Sequence, residues 1–239
     1  MKKIKITGTI VNNDDKKIYD YLGIEASAPG EVEKILNEAN GEPVTIELNS
    51  GGGDVLAGNE IYYKLANYPG EVTIDITGFA GSIASVIAMA GKVRMVPSGL
   101  LMIHNVSSGA SGDYKAMEHQ ADVLKAANKA IANSYRVKTG ISSKELLDLM
   151  DKESWLSADE ALRMGFVDEI INDSDKILSD RKINLTNAIG VNILSNEVVQ
   201  NLKNKLFDSS INEKDNSDFL FKQNKLKAEL KLKKLKEVQ

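Results

Sequence analysis

Cysteine is absent from the 239 residues, which excludes disulfides, thiolate metal sites and a cysteine nucleophile. Histidine occurs only as His104 and His119, too few for a multi-histidine metal site within one chain, and no cofactor is expected. No apolar run approaches the roughly 20 residues that cross a bilayer. The start Met-Lys-Lys-Ile-Lys is too polar for a secretory signal, so the expectation is a soluble cytoplasmic protein with no membrane partner. Aromatic residues make up 5% of the chain against 42% apolar residues in total, which points to an aliphatic core. The net charge of −4 is uneven, −7 over residues 1–170 and +3 over residues 171–239. An acidic body argues against a nucleic-acid partner.

What is present centres on Gly78-Phe-Ala-Gly-Ser82-Ile-Ala-Ser85-Val-Ile-Ala-Met-Ala90. Small residues crowd two serines after the strand-like run Val72 to Thr77, and an apolar helical segment follows. A nucleophilic serine is commonly presented at such a strand-to-helix turn, where small neighbours leave room for a substrate and the first helical N–H groups face it. The same pattern also serves close helix packing, so partners have to decide between the two.

In chain order, residues 3–11 alternate as a first strand, residues 12–17 read as a polar turn or loop, and Ser27 is a possible cap for a helix entered through Pro29. The strand Val44 to Leu48 completes a β-α-β arrangement suited to a parallel sheet covered by helices. Asn49-Ser-Gly-Gly-Gly53-Asp54 then opens the next helix. Three glycines at a strand end can turn backbone N–H groups toward an anion, although the motif lacks the Gly-Lys-Ser/Thr ending of a phosphate loop and the Gly-x-Gly-x-x-Gly spacing of a dinucleotide turn.

Leu100 to Ile103 is a strand that delivers His104 at its end, whereas His119 falls inside a long helix running from about Asp113 to Gly140. Ser157-Ala-Asp-Glu160 is a capping box. After Ile170 the composition turns polar, and residues 219–239 hold seven lysines and two glutamates. That stretch reads as a free basic helix, a partner-docking or coiled helix, or a nucleic-acid-binding segment.

The order of Gly-rich strand-end turn, Gly-x-x-x-Ser turn and strand-end histidine, followed by acidic residues before Trp155, supplies oxyanion donors, a nucleophile, a base and an orienter. Through these motifs residues 3–171 resemble the Clp protease proteolytic subunit superfamily (peptidase family S14), above all the ClpP-related head maturation proteases of tailed phages. The matching stretches are Ile46-Glu-Leu-Asn-Ser-Gly-Gly-Gly53 with Ala57-Gly58, Gly78-Phe-Ala-Gly-Ser82-Ile-Ala, Met102-Ile-His104-Asn105, Thr139-Gly140, Trp155-Leu-Ser-Ala-Asp-Glu-Ala161 and Gly165-Phe-Val-Asp168.

The resemblance implies an α/β fold, a ClpP/crotonase-like spiral of β-α-β units with an inserted long handle helix. It makes residues 1–171 the protease domain and residues 172–239 a polar, Lys-rich extension, partly helical or disordered. Ser82 becomes the nucleophile in preference to Ser85, His104 the general base, and the Gly53 and Ile83 amides the oxyanion hole. The family places an aspartate two residues before the aromatic of the Trp155 segment. Here Glu153 stands there, with Asp151 the alternative acid.

The function so implied is a serine endopeptidase that needs neither metal nor nucleotide and cleaves scaffold or capsid proteins during phage head maturation, within the host cytoplasm and the assembling procapsid. Its assembly would be a heptameric ring or stacked tetradecamer paired through the handle helix. Gly51 stands where the cellular subunit has proline, and the short segment expected before the first strand argues against a dedicated unfoldase. The competing expectations are a cellular housekeeping protease of the same superfamily, a crotonase-like enzyme that would leave Ser82 and His104 without a joint task, and an assembly subunit whose acid is impaired.

Overall fold

The structure is a computed structural model and describes residues 2–171, 194 and 198–202. Three parallel strands form its centre: β1 (Lys2–Ile10), β3 (Val44–Gly53) and β4 (Val72–Gly81), with the two-residue β2 (Ala26–Ser27) on the outer edge of β1. Ile4, Ile6, Val44, Ile46, Leu48, Val72, Ile74 and Ile76 are all buried, whereas Lys3 and Lys5 beside them are exposed and Glu47 and Thr73 are partly so, the alternation of strands with one face on the core. Burying each large aliphatic side chain contributes roughly 1.5–3 kcal/mol.

Helices α2 (Pro29–Ala39) and α3 (Val55–Ala66) connect these strands and pack Val32, Leu36, Ile61 and Leu65 into the same core. Asp54 caps α3, its carboxylate accepting the amides of Leu56 and Ala57 at 2.8 and 2.9 Å.

The sheet forks at β4. Residues 73–76 pair with β5 (Lys92–Met95), whereas residues 79–81 pair with β6 (Leu100–Ile103). On the first branch Arg94 donates to both carboxylate oxygens of its ladder partner Asp75, at 2.7 and 2.8 Å. The fork is made by register shifts: β4 gains two residues on β3 between the pairs Leu48↔Ile76 and Ser50↔Ala80. Asn49 accepts the Phe79 amide at 3.0 Å there, replacing a ladder bond. Such bulges bend a strand and re-aim the residues beyond the bend.

Beyond β6 runs α5 (Tyr114–Thr139), the expected long helix, capped by Asp113 and closed at Gly140. Only its C-terminal part is buried, through Ile131, Ala132 and Tyr135, and no residue from Tyr114 to Ala130 is buried. Helix α6 (Ser143–Asp151) leads to β7 (Ser154–Ser157), antiparallel to β6, and α7 (Ala158–Arg163) and β8 (Glu169–Ile170) complete the described body. The Ser157–Glu160 capping box opens α7 as expected.

Two expectations need correction. Residues 12–17 are not a loop: Asn13–Leu22 is helix α1, because Asn12 caps it by accepting the Asp15 amide at 2.9 Å and because Ile18, Tyr19 and Leu22 have an apolar surface to cover. Ser27 does not cap α2. It lies in β2, where its hydroxyl accepts the Thr7 amide and donates to the Thr7 carbonyl, and the capping position falls to Ala28, whose amide bonds the Glu31 carboxylate.

Beside α1 lie Leu194, Val199 and Leu202, all buried against Val11, Ile18, Tyr19, Leu22 and Ala28. The Leu194 amide donates to the Tyr19 hydroxyl at 2.9 Å. The Lys-rich stretch 219–239 lies outside the described residues.

Candidate active site

The fork determines which side chains meet. Gly81 is paired with Met102, so the residues that follow β4 and β6, Ser82 and His104, emerge side by side, and the Ser82 amide donates to the Met102 carbonyl at 2.9 Å. In the antiparallel ladder Ile103 is paired with Ser154, which brings the next residues outward, His104 and Glu153, opposite one another. The chain order Ser82, His104, Glu153 thus becomes a spatial order through the register of three adjacent strands.

Ser82 has φ 54° and ψ −131°, a backbone conformation rarely adopted by residues other than glycine, at the sharp turn from β4 into α4 (Ile83–Ala88). Its Oγ lies 2.8 Å from His104 Nε2. The short distance is that of a nucleophile and its base; for the hydroxyl to donate, the imidazole must carry its proton on Nδ1.

The close approach is possible because Gly52, at φ +98°, carries no side chain: a Cβ there would lie 2.8 Å from Ser82 Cβ and 3.2 Å from the Ile83 amide nitrogen. The Gly-rich turn expected from the sequence therefore sits against the serine turn. Gly51, Gly53, Ser82, Ile83, His104 and Glu153 line one cavity of about 300 Å³. Its apolar walls are Val55, Phe79, Met102, Val106, Ile131, Tyr135 and Trp155, a surface for an apolar side chain of a bound peptide.

Both candidate acids have their own partners. Asp151 accepts from the Asn105 side-chain amide at 2.7 Å. Glu153 accepts from the Trp155 indole N–H at 3.2 Å and sits at φ 49°. In this arrangement both carboxylates bond to neighbours of His104 rather than to the ring; Glu153 alone of the two lines the cavity.

Ser85, the other serine of the turn, is fully buried, its hydroxyl 2.6 Å from the Ser82 carbonyl and 2.7 Å from the Tyr135 hydroxyl. It is spent on those two bonds and does not reach the cavity. Burial pushes the Tyr135 phenol far above its usual range, so it stays protonated. Sequence reasoning missed this pair, and the only hint was the helical spacing that put Tyr135 on the inward face of α5. His119 is exposed, on the unburied part of α5. Among the described residues no cluster of three His, Cys, Asp or Glu side chains could hold a metal ion, and no helix is long and apolar enough to cross a membrane.

A model of the Clp protease family matches residues 32–174. Among curated relatives, ATP-dependent Clp protease proteolytic subunit 1 of Streptomyces avermitilis is 31% identical over 137 residues, 56% of this chain and 63% of that one. The corresponding proteolytic subunit of Deinococcus radiodurans is 30% identical over 142 residues, 58% of this chain and 70% of its own. The chain therefore spans less than two thirds of the length of the Streptomyces subunit. Among solved structures, a point mutant of ClpP1 from Listeria monocytogenes superposes with a TM-score of 0.60 at 24% identity, covering 73% of this chain and 93% of that one, a likeness of fold. With the family model matching well over half of its length, the chain belongs to the Clp protease family.

Proposed function

We propose that the chain is a serine endopeptidase, and the observation that carries this reading is the 2.8 Å approach of Ser82 Oγ to His104 Nε2 at the wall of an apolar cavity. Ser82 attacks the scissile carbonyl while its proton passes to His104 Nε2. The Gly53 and Ile83 amides receive the oxyanion, His104 returns the proton to the departing amine, and the acyl group remains on Ser82. Water then attacks the ester with His104 again as base, releasing the acid and restoring the serine. The chemistry consumes no nucleotide.

Glu153 is the proposed orienter. The ladder that sets it opposite His104 supports it over Asp151, and rotation of its carboxylate from the Trp155 indole to His104 Nδ1 would fix the tautomer that the reaction requires.

The proposed assembly is a heptameric ring or stacked tetradecamer, supported by the unburied first part of α5, a surface available to a second copy. The proposed substrates are scaffold or capsid proteins of a tailed phage, with residues 172–239 as an appended extension; the motif set and Gly51 support this setting. A cellular role is favoured by the names of the curated relatives, ATP-dependent proteolytic subunits. An impaired assembly subunit is favoured by the present partner of Glu153.

Intact-mass spectrometry after incubation with a fluorophosphonate tests the catalytic reading. One adduct on the wild-type chain and none on Ser82→Ala is expected. No adduct on a ring-sized wild-type assembly would overturn it.

A further inference from the structure

The serine turn is tied to the long helix through two buried hydroxyls. The Ser82 carbonyl accepts twice from Ser85, from its amide at 3.0 Å and from its hydroxyl at 2.6 Å. The Ser85 hydroxyl has one hydrogen, and the carbonyl can only accept, so that hydrogen is committed to Ser82. The Tyr135 hydroxyl, 2.7 Å from Ser85 Oγ, is therefore the donor in the second bond. The chain of bonds runs in one direction, from Tyr135 of α5 to Ser85 to the carbonyl of Ser82.

The carbonyl of Ser82 and the amide of Ile83 belong to the same planar peptide unit, with C=O and N–H pointing in opposite directions. Holding the carbonyl down toward Ser85 turns the Ile83 N–H the other way, toward the cavity that Ile83 lines. The turn needs such a hold, since Ser82 sits in a conformation that persists only where its surroundings impose it.

We infer that Ser85 and Tyr135 are positioning residues that orient the Ile83 amide as an oxyanion donor and couple the placement of α5 to the competence of Ser82. The inference rests on the serine-peptidase reading above and adds to it a second pair of residues, neither of which touches the reacting atoms through its hydroxyl. Burial keeps Tyr135 protonated, so the donor is permanent across the range in which His104 chemistry operates. Because Tyr135 also lines the cavity and projects from α5, a shift of that helix changes the wall of the cavity and the orientation of the donor together.

The test uses the full-length assembly and compares wild type, Tyr135→Phe and Ser85→Ala with a fluorogenic peptide, counting active sites by fluorophosphonate titration. Tyr135→Phe removes one oxygen and retains the edge-on packing of the ring against Phe166. Losing a whole oxyanion donor lowers kcat by roughly 10²–10³, so loosening one is expected to lower kcat per titrated site by about tenfold. KM should stay within about twofold, and affinity for a peptide boronate, whose adduct places an oxygen in the hole, should fall in parallel with kcat.

A purely structural role would instead lower the number of titrated sites and leave kcat per site unchanged, which overturns the inference. Amide hydrogen exchange over residues 79–90 provides an arm independent of activity and is repeated on Ser82→Ala. Faster exchange in Tyr135→Phe is expected, and unchanged exchange overturns the inference as well. Failure of the wild type to react with the fluorophosphonate would sink the peptidase reading, while the exchange arm would still decide whether the two hydroxyls hold the turn.

Discussion

Phe79 and Trp155 stack face to face in the cavity wall, with ring centroids 5.3 Å apart and planes within 4°. Phe79 precedes the serine turn on β4 and Trp155 lies on β7, so the stack joins the two strands that flank β6 and its histidine. It also holds the indole N–H where Glu153 reaches it.

Trp155 is the only tryptophan in the chain, and its emission reports on the Glu153 carboxylate directly. Glu153→Gln is expected to shift the emission maximum. Trp155→Phe retains a ring to stack on Phe79 and removes the competing donor. A net hydrogen bond of about 1 kcal/mol corresponds to a population change of roughly fivefold, so kcat is expected to rise by up to that factor. A fall in kcat would mean that the indole supports the acid rather than withholding it.

The two carboxylates are separable by kinetics. Loss of the orienting acid costs roughly 10⁴ in known triads, so Glu153→Gln is expected to lower kcat by about 10²–10⁴. Asp151→Asn can keep its bond with Asn105 and should change kcat less than about fivefold. The opposite ranking would transfer the role to Asp151.

Gly58 of α3 faces the serine turn, and a Cβ there would lie 2.1 Å from Ile83 Cγ1. Gly58→Ala is expected to destabilise the fold by about 1–3 kcal/mol, the usual range for overpacking. It should also slow fluorophosphonate labelling of Ser82, because the displaced residue carries the proposed oxyanion donor. Urea denaturation and labelling rates check the two effects separately.

How much of this was legible beforehand divides along physical lines. The strand runs at Ile46 and Ile74, the Asp113 to Gly140 helix and the Ser157 capping box were visible because periodicity and capping chemistry are local. So was the Ser82–His104 pair, through its strand-end positions and the family motifs. Helix α1 reads as a loop from sequence because its cap Asn12 and its first five residues, Asn13 to Lys17, are all polar, and the burial of Ile18, Tyr19 and Leu22 that justifies the helix depends partly on Leu194, Val199 and Leu202. The fork at β4 and the strand β7 were not legible, since both are set by register between distant segments. For the same reason the sequence did not distinguish what Glu153 and Asp151 bond to.

Alkaline titration should expose the buried phenols. A phenol in the unfolded chain ionises near pH 10, whereas burial raises the value for Tyr135, and to a lesser degree for Tyr19, in the folded protein. Above about pH 10 the unfolded chain releases protons that the folded chain keeps, so the stabilising contribution is complete below that point and is lost as pH rises toward the folded values. Urea midpoints are expected to decline steeply there. Tyr135→Phe should flatten the decline, and an unchanged slope would show that Tyr135 does not hold its proton.

Leu202 offers a mechanical check on the docking of Leu194, Val199 and Leu202. It is 4% exposed, and Leu202→Ala is expected to lose about 2–4 kcal/mol of local stability, the range for buried leucines. Hydrogen exchange should speed up in α1 while the amides of β3 and β4 remain protected. Uniform loss of protection would place the effect in the central sheet instead.

The bond between Leu194 and Tyr19 spans 175 positions. The order of synthesis therefore places Ile18, Tyr19 and Leu22 well ahead of Leu194, Val199 and Leu202, which help to cover them. At translation rates of about 5–20 residues per second, that interval lasts roughly 10–35 s. Throughout it the nascent chain carries an incompletely covered apolar helix, the kind of surface on which chaperones act, and completion of this corner of the fold follows the synthesis of the central sheet.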